Sequence, residues 1–233
     1  AKTFGADRVR VDAMALVSGA RPLANVRRYL LETEAAPRNA ALENVVALMK
    51  TDARTLFDAP GPLPTTFVLV HGGGFAASCW DRLVPLLRHS CVAVDLPGRG
   101  SRPADLASVT VADSVAAVVE EIGRVPTDHD VVLVGHSMGG MTAALFASLH
   151  PTTLGSLVLV DPSFLSAEMQ QEVYESGVRE QHRKLLGRPV GEIEADLAKR
   201  HPGRSREMIR RIARARLRTG AAAFEVLASP DPD

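Results

Sequence analysis

Val131-Val132-Leu133-Val134-Gly135-His136-Ser137-Met138-Gly139-Gly140 is the stretch whose reading decides the fold. Its first four residues form an apolar, mostly β-branched run, which reads as a buried strand. The run meets Gly-x-Ser-x-Gly, and the alanine-rich segment through Met141, Ala143, Ala144, Leu145 and Ala147 reads as a helix. A serine held on so tight a strand-to-helix turn presents its hydroxyl away from the sheet. Gly135 and Gly139 leave room for neighbouring backbone to pass closely. At average composition the five-residue pattern arises by chance in roughly one chain in ten of this length. The flanking strand and helix therefore carry the inference. They make Ser137 the candidate covalent nucleophile, against the plainer reading of an ordinary turn in an α/β protein.

A second apolar run, Thr66-Phe67-Val68-Leu69-Val70, ends in His71-Gly72-Gly73-Gly74-Phe75. Successive glycines let backbone N–H groups turn toward a ligand. Acyl transfer needs such donors where the oxyanion forms, and losing one costs roughly 100- to 1000-fold in rate. One expected donor is the amide of Met138, the residue after the nucleophile; the other is Gly73, with Gly74 and Phe75 as neighbours that could serve instead. A phosphate loop is the competing reading, but neither G-x-G-x-x-G nor a Walker lysine occurs there.

A third run, Cys91-Val92-Ala93-Val94-Asp95, leads into Leu96-Pro97-Gly98-Arg99-Gly100, and a fourth, Leu157-Val158-Leu159-Val160, ends in Asp161-Pro162. Asp95 reads as a carboxylate that organises a turn. The order HGGGF, DLPGRG, GHSMGG, LVLVDP resembles the α/β-hydrolase superfamily over residues 65–162. With Cys79-Trp80-Asp81 after the glycine loop, it is most similar to the small esterase-like and lyase-like branches. In family terms the runs resemble the third to sixth strands, with intervening helices at 81–88, 111–124 and 138–149. The resemblance also implies a helical lid after the sixth strand. Independently of any family, alternating strands and helices predict a parallel sheet, and nearly all-apolar strands predict helices on both of its faces. The expected fold is thus α/β, a mostly parallel sheet with flanking helices. The expected division is a partly helical leader at 1–60, a hydrolase-like core at 61–162 and a helical lid segment at 163–233.

Composition narrows the classes further. Among 233 residues, 27 basic side chains balance 27 acidic ones, so no global field steers the chain toward nucleic acid. No stretch of about 18 apolar residues predicts a membrane span, and the N-terminus shows no signal-peptide core. Cys79 and Cys91 lack metal or redox spacing. They read as buried free thiols, which suits a cytoplasmic setting. No zinc-type ligand cluster and no cofactor motif is found. The expected partner is a small, fairly apolar ester.

The flanks are less patterned. Arg8-Val9-Arg10-Val11 alternates like an edge strand. Asn39 reads as a helix cap before Leu42, Val45, Val46, Met49, Ala53 and Leu56 at helical spacing, most simply a packing face. Ala59-Pro60-Gly61-Pro62-Leu63-Pro64 reads as a stiff connector. Beyond Asp161, a segment capped by Ser166 runs through Val178, a second holds Ile193 and Leu197, and a third is striped by Met208, Ile209, Ile212, Ala213 and Leu217. Seven arginines lie between Arg204 and Arg218. They read as a solvated face, with attraction of an anionic substrate or an acidic partner as the sharper alternatives.

A serine nucleophile needs a base, itself oriented by an acid. In the family the order is Ser, Asp or Glu, then His, and the part carrying the last two strands and that His is not recognised here. Asp161 is the candidate acid. His71 belongs to the glycine loop, and His136 points away from the Ser137 hydroxyl. His89 and His129 lie toward the far end of the sheet, His150 ends a helix, and His182 and His201 lie in the lid. The expectation is ester hydrolysis through an acyl-Ser137 intermediate. C–C bond hydrolysis or a lyase reaction is the alternative on the same fold, and a non-catalytic binding domain or an incomplete fragment is the alternative from other classes. A sheet edge left open by absent strands invites aggregation; the leader could cover it.

Overall fold

A computed structural model describes residues 10–11, 63–87, 89–102, 109–150, 152–163 and 167–224. At its centre lie five parallel strands: β1 (Arg10–Val11), β2 (Thr65–Val70), β3 (Ser90–Val94), β4 (Asp130–His136) and β5 (Ser156–Val160). Their order across the sheet is β1-β5-β4-β2-β3. The four apolar runs are thus β2 to β5, and the expected parallel α/β architecture is what forms.

Side chains alternate across each strand. Val68, Val70, Leu133, Leu157 and Leu159 face α2 (Val111–Ile122) and α3 (Met138–Leu149), and meet Val115, Val118, Met141 and Phe146 there. Phe67, Leu69, Val134 and Val158 share the other core, with Trp80, Val84 and Leu87 packed against it. Each such side chain contributes about 1.5–3 kcal/mol on full burial. Helix α2 starts where the Thr110 hydroxyl accepts the Asp113 N–H and the Asp113 carboxylate accepts the Thr110 N–H, a reciprocal cap.

Three expectations need correction. The helix expected over 81–88 is only α1 (Val84–Leu87), preceded by a 3-10 turn at Ala77–Trp80. Pro85 has no N–H to give to the carbonyl of Asp81, so it is tolerated in the first turn of a helix starting at Val84 but not in the interior of one starting at Asp81. The thiols are not buried residues: Cys79 is exposed and Cys91 half-exposed, because Cys91 lies on β3, the outermost strand of the described sheet. The helix expected to run through Val178 breaks at Ser176-Gly177, where Gly177 adopts a left-handed φ of 64°. Two helices result, α4 (Ala167–Glu175) and α5 (Val178–Leu186). The cap assigned to Ser166 lies outside the described residues.

The arm continues through α6 (Val190–Arg200) and α7 (Arg206–Leu217) to a 3-10 turn at Ala221–Phe224. Ile193 and Leu197 pack on Ile209, Ile212 and Ala213 in a small second core, and Phe75 of the glycine loop packs against it. That contact seats the arm beside the glycine loop. At the other edge, Arg10 pairs with Ser156 and Val11 with Leu157. The Arg10–Val11 pair therefore is an edge strand, and it covers part of the open side of β5. The expected helical stripe at 39–56 and the connector at 59–62 lie outside the described residues. In register, Val70 lies beside Gly135 and Gly135 beside Leu159. The carboxyl ends of β2, β4 and β5 therefore coincide, where open α/β sheets place their ligands.

Candidate active site

Ser137 is the single residue between β4 and α3. Its φ of 52° and ψ of −120° lie where non-glycine residues are strained by order 1–3 kcal/mol. The surroundings hold it there. Its N–H donates to the Val160 carbonyl at 2.9 Å, and its carbonyl accepts from the amides of Gly140, Met141 and Ser163 at 2.8, 3.2 and 3.1 Å. A Cβ on Gly135 would lie 2.2 Å from the Gly139 oxygen, and one on Gly139 would lie 2.5 Å from the oxygens of Val70 and His71. Strand and helix cross at a distance that only glycine permits.

The glycine loop lies against this turn. A Cβ on Gly72 would stand 3.1 Å from the Ser137 Cβ. The Phe75 N–H donates to the Gly72 carbonyl at 3.3 Å, Gly74 has a left-handed φ of 72°, and Gly73 is half-buried. Met138, fully buried, is the first residue of α3, where an amide has no partner within the helix. The loop is anchored by His71, also fully buried. The Leu96 N–H donates to its Nε2 at 3.2 Å, so that nitrogen carries no proton and Nδ1–H donates to the Gly72 carbonyl at 2.9 Å. Burial pushes the His71 pKa down to about 4.

Asp95 organises the neighbouring turn, as expected. Its carboxylate accepts from the Ala77 N–H at 2.7 Å and from the Ser101 N–H and hydroxyl at 2.8 Å. Burial pushes this carboxyl up, but those hydrogen bonds outweigh it and hold the group below its ordinary range. Asp161 ends β5, exposed, with φ 44°. Burial lowers the pKa of His136, and the Asp161 charge opposes that shift.

None of the seven histidines is hydrogen-bonded to Ser137. His129 bonds the Thr66 hydroxyl at 2.7 Å at the amino end of β2, and His89 packs near Phe67. The His136 ring meets Phe75 edge-on at 6.2 Å, and His150 packs on Phe146. In the arm, His182 is buried, donates from Nε2 to the Thr219 carbonyl at 2.6 Å and packs on Phe224 at 4.5 Å. His201 follows the last residue of α6. The Ser137 hydroxyl instead meets the hydroxyl of Ser163 at 3.2 Å. Sequence reasoning missed Ser163; its only local signal is its place just after Asp161-Pro162. A small cleft runs between Phe75, Cys79 and Arg82 on one side and Met208, Ile212 and Ala215 of α7 on the other.

A positive-φ serine on a glycine-crossed turn, beside a glycine-rich loop at the carboxyl end of a parallel sheet, defines a class. The chain belongs to the alpha/beta hydrolase family, whose model matches residues 67–233. It is 41% identical over 98 residues to norfluorocurarine synthase 2 of Strychnos sp, covering 40% of this chain and 37% of that one. It is 39% identical over 107 residues to polyneuridine aldehyde esterase of Rauvolfia serpentina, covering 44% and 39%. It is 29% identical over 164 residues to methylesterase 8 of Arabidopsis thaliana, covering 59% and 60%. A crystal structure of a polyneuridine aldehyde esterase mutant superposes with a TM-score of 0.51 at 27% identity, covering 72% of this chain and 73% of that one. The chain spans about two fifths of the length of the first curated relatives it matches. No helix among the described residues is long and apolar enough to cross a membrane.

Proposed function

We propose that the site performs carboxylic ester hydrolysis through an acyl-serine intermediate. The carrying observation is the strained, half-buried Ser137 turn in van der Waals contact with the glycine loop. Ser137 Oγ attacks the ester carbonyl as its proton passes to a base. The tetrahedral oxyanion is held by the amides of Met138 and Gly73, with Gly74 as the neighbouring donor. Collapse expels the alcohol, which takes up the proton, and water releases the acid by the reverse sequence. Asp161 is the acid assigned to orient the base, a role that no described contact of Ser137 fills. Relatives named as esterases support this reading. The substrate is a small, fairly apolar ester, residues 163–233 act as a lid over residues 61–162, and the two free thiols suit a cytoplasmic setting.

A second reading has its own observation. Ser137 is bonded to Ser163 rather than to a histidine, which favours a ligand-binding domain without turnover. A fluorophosphonate probe separates the two. Catalysis predicts one adduct, on Ser137, that disappears in Ser137→Ala. A folded chain, checked by circular dichroism, that takes no adduct leaves the binding reading.

A further inference from the structure

Arg99 is the only fully buried lysine, arginine or carboxylate side chain among the described residues, and ester hydrolysis as written gives it no task. It is 0% exposed, and no carboxylate among the described residues pairs with it. Nη1 donates to the Pro97 carbonyl at 3.2 Å. Nη2 donates to Met138 Sδ at 3.4 Å and to the Ala223 carbonyl. Nε–H has no partner among the described residues. Burying a guanidinium without a counter-charge is costly, and methionine could fill the same space without that cost. Burial pulls its pKa down to about 10, so it stays charged at neutral pH.

Its contacts join three parts of the site. Pro97 lies on the turn after β3, Met138 starts α3, and Ala223 lies in the returning end of the helical arm. Other contacts fasten the same end. The Gly220 N–H donates to the Gly98 carbonyl at 2.8 Å, and a Cβ on Gly98 would lie 3.1 Å from the Ala223 Cβ. The Phe224 ring lies 3.8 Å from a Cβ built on Gly74 and packs on His182. Residues 219–224 are therefore tied across the glycine loop, with Arg99 as the bolt.

We propose that Arg99 is a positioning residue for acyl transfer at Ser137: it fixes Met138 against the arm and sets an uncompensated positive charge behind the oxyanion donors. The proposal rests on the nucleophile reading above. The negative charge that Arg99 lacks in the resting protein is the one that appears on the substrate oxygen during attack. A cation already in place stabilises that charge without reorganisation. The same field is sensed nearby, since burial lowers the pKa of His182 and the charges of Arg216 and Arg99 lower it further.

Arg99→Met keeps the bulk and removes the charge; Arg99→Lys keeps the charge and loses the planar fork. The measurements are the rate of Ser137 phosphonylation per folded molecule and the His182 imidazole titration by NMR. Arg99→Met is expected to label at least tenfold more slowly, Arg99→Lys to recover part of the loss, and His182 to titrate at higher pH only in Arg99→Met. A merely structural arginine changes the folded fraction but not the rate per folded molecule, whereas the titration reports whether the Arg99 charge is felt beside it. If Arg99→Met does not fold, Arg99→Gln, which can still donate to Ala223, replaces it. Equal rates for the charge-free variant and the unaltered chain overturn the proposal, as does an Arg99→Lys rate no higher than that of Arg99→Met. An unaltered chain that takes no adduct overturns the nucleophile reading instead; an unchanged His182 titration then overturns the Arg99 proposal as well.

Discussion

His71 links the glycine loop to pH. Both ring nitrogens are engaged in the neutral form, and protonating Nε2 breaks the bond from the Leu96 amide. The folded pKa of about 4, against an ordinary 6.5, means that the unfolded chain takes up a proton that the folded chain refuses. Stability is therefore lost as pH falls from about 6.5 to 4, by about 3 kcal/mol in all. Urea unfolding at pH 7, 5 and 4 should show this loss, and His71→Gln, which does not titrate, should reduce its slope. Ser163→Ala removes the hydroxyl partner of Ser137. One hydrogen bond is worth about 0.5–1.5 kcal/mol net, so fluorophosphonate labelling should fall less than about tenfold, whereas Ser137→Ala abolishes it. Ser137 and the glycine loop were legible because each motif lies within a few residues. Ser163 and Arg99 were not: their partners lie 26 and 124 residues away in sequence.

Elements obey the local rules until close approach overrides them. Gly139→Ala would drive a methyl group into two backbone oxygens at 2.5 Å, and backbone has little freedom to retreat. A loss of at least about 2 kcal/mol is expected by denaturant titration, within the range of overpacked cores. Gly191, on α6, has nothing within 4 Å of a built Cβ. There alanine improves helix propensity, and Gly191→Ala should gain up to about 1 kcal/mol. A result of the same sign at both positions would refute this account of the elbow. The helices at 81–88 and 111–124 were expected from the family resemblance alone: α2 forms at Val111–Ile122, and its Thr110 cap came only with the structure, whereas the first shortens to Val84–Leu87.

At the scale of the whole molecule, the described part of the arm meets the core through the Phe75 contact, the 219–224 segment and, among the described residues, one ion pair of long sequence separation, Arg211 to Asp81 at 2.7 Å. Both side chains are partly exposed, at 34% and 53%. A double-mutant cycle with Asp81→Asn and Arg211→Gln should therefore give less than about 1 kcal/mol of coupling, and less again in high salt. A larger, salt-insensitive coupling would show that the arm is held mainly by this charge pair. The amino-acid sequence by itself determined that four apolar runs become parallel strands, that glycines let strand and helix cross at the elbow, and that a serine stands on the turn between them. Those outcomes depend on side-chain period and backbone sterics within about ten residues. Only the tertiary structure decided the strand order, the seat of β1 on the free edge of β5, the facing of Ser137 by Ser163, and the meeting of Arg99 with Met138 and Ala223. These depend on crossovers and packing between segments far apart in the chain, where residue spacing carries no information about which surfaces meet.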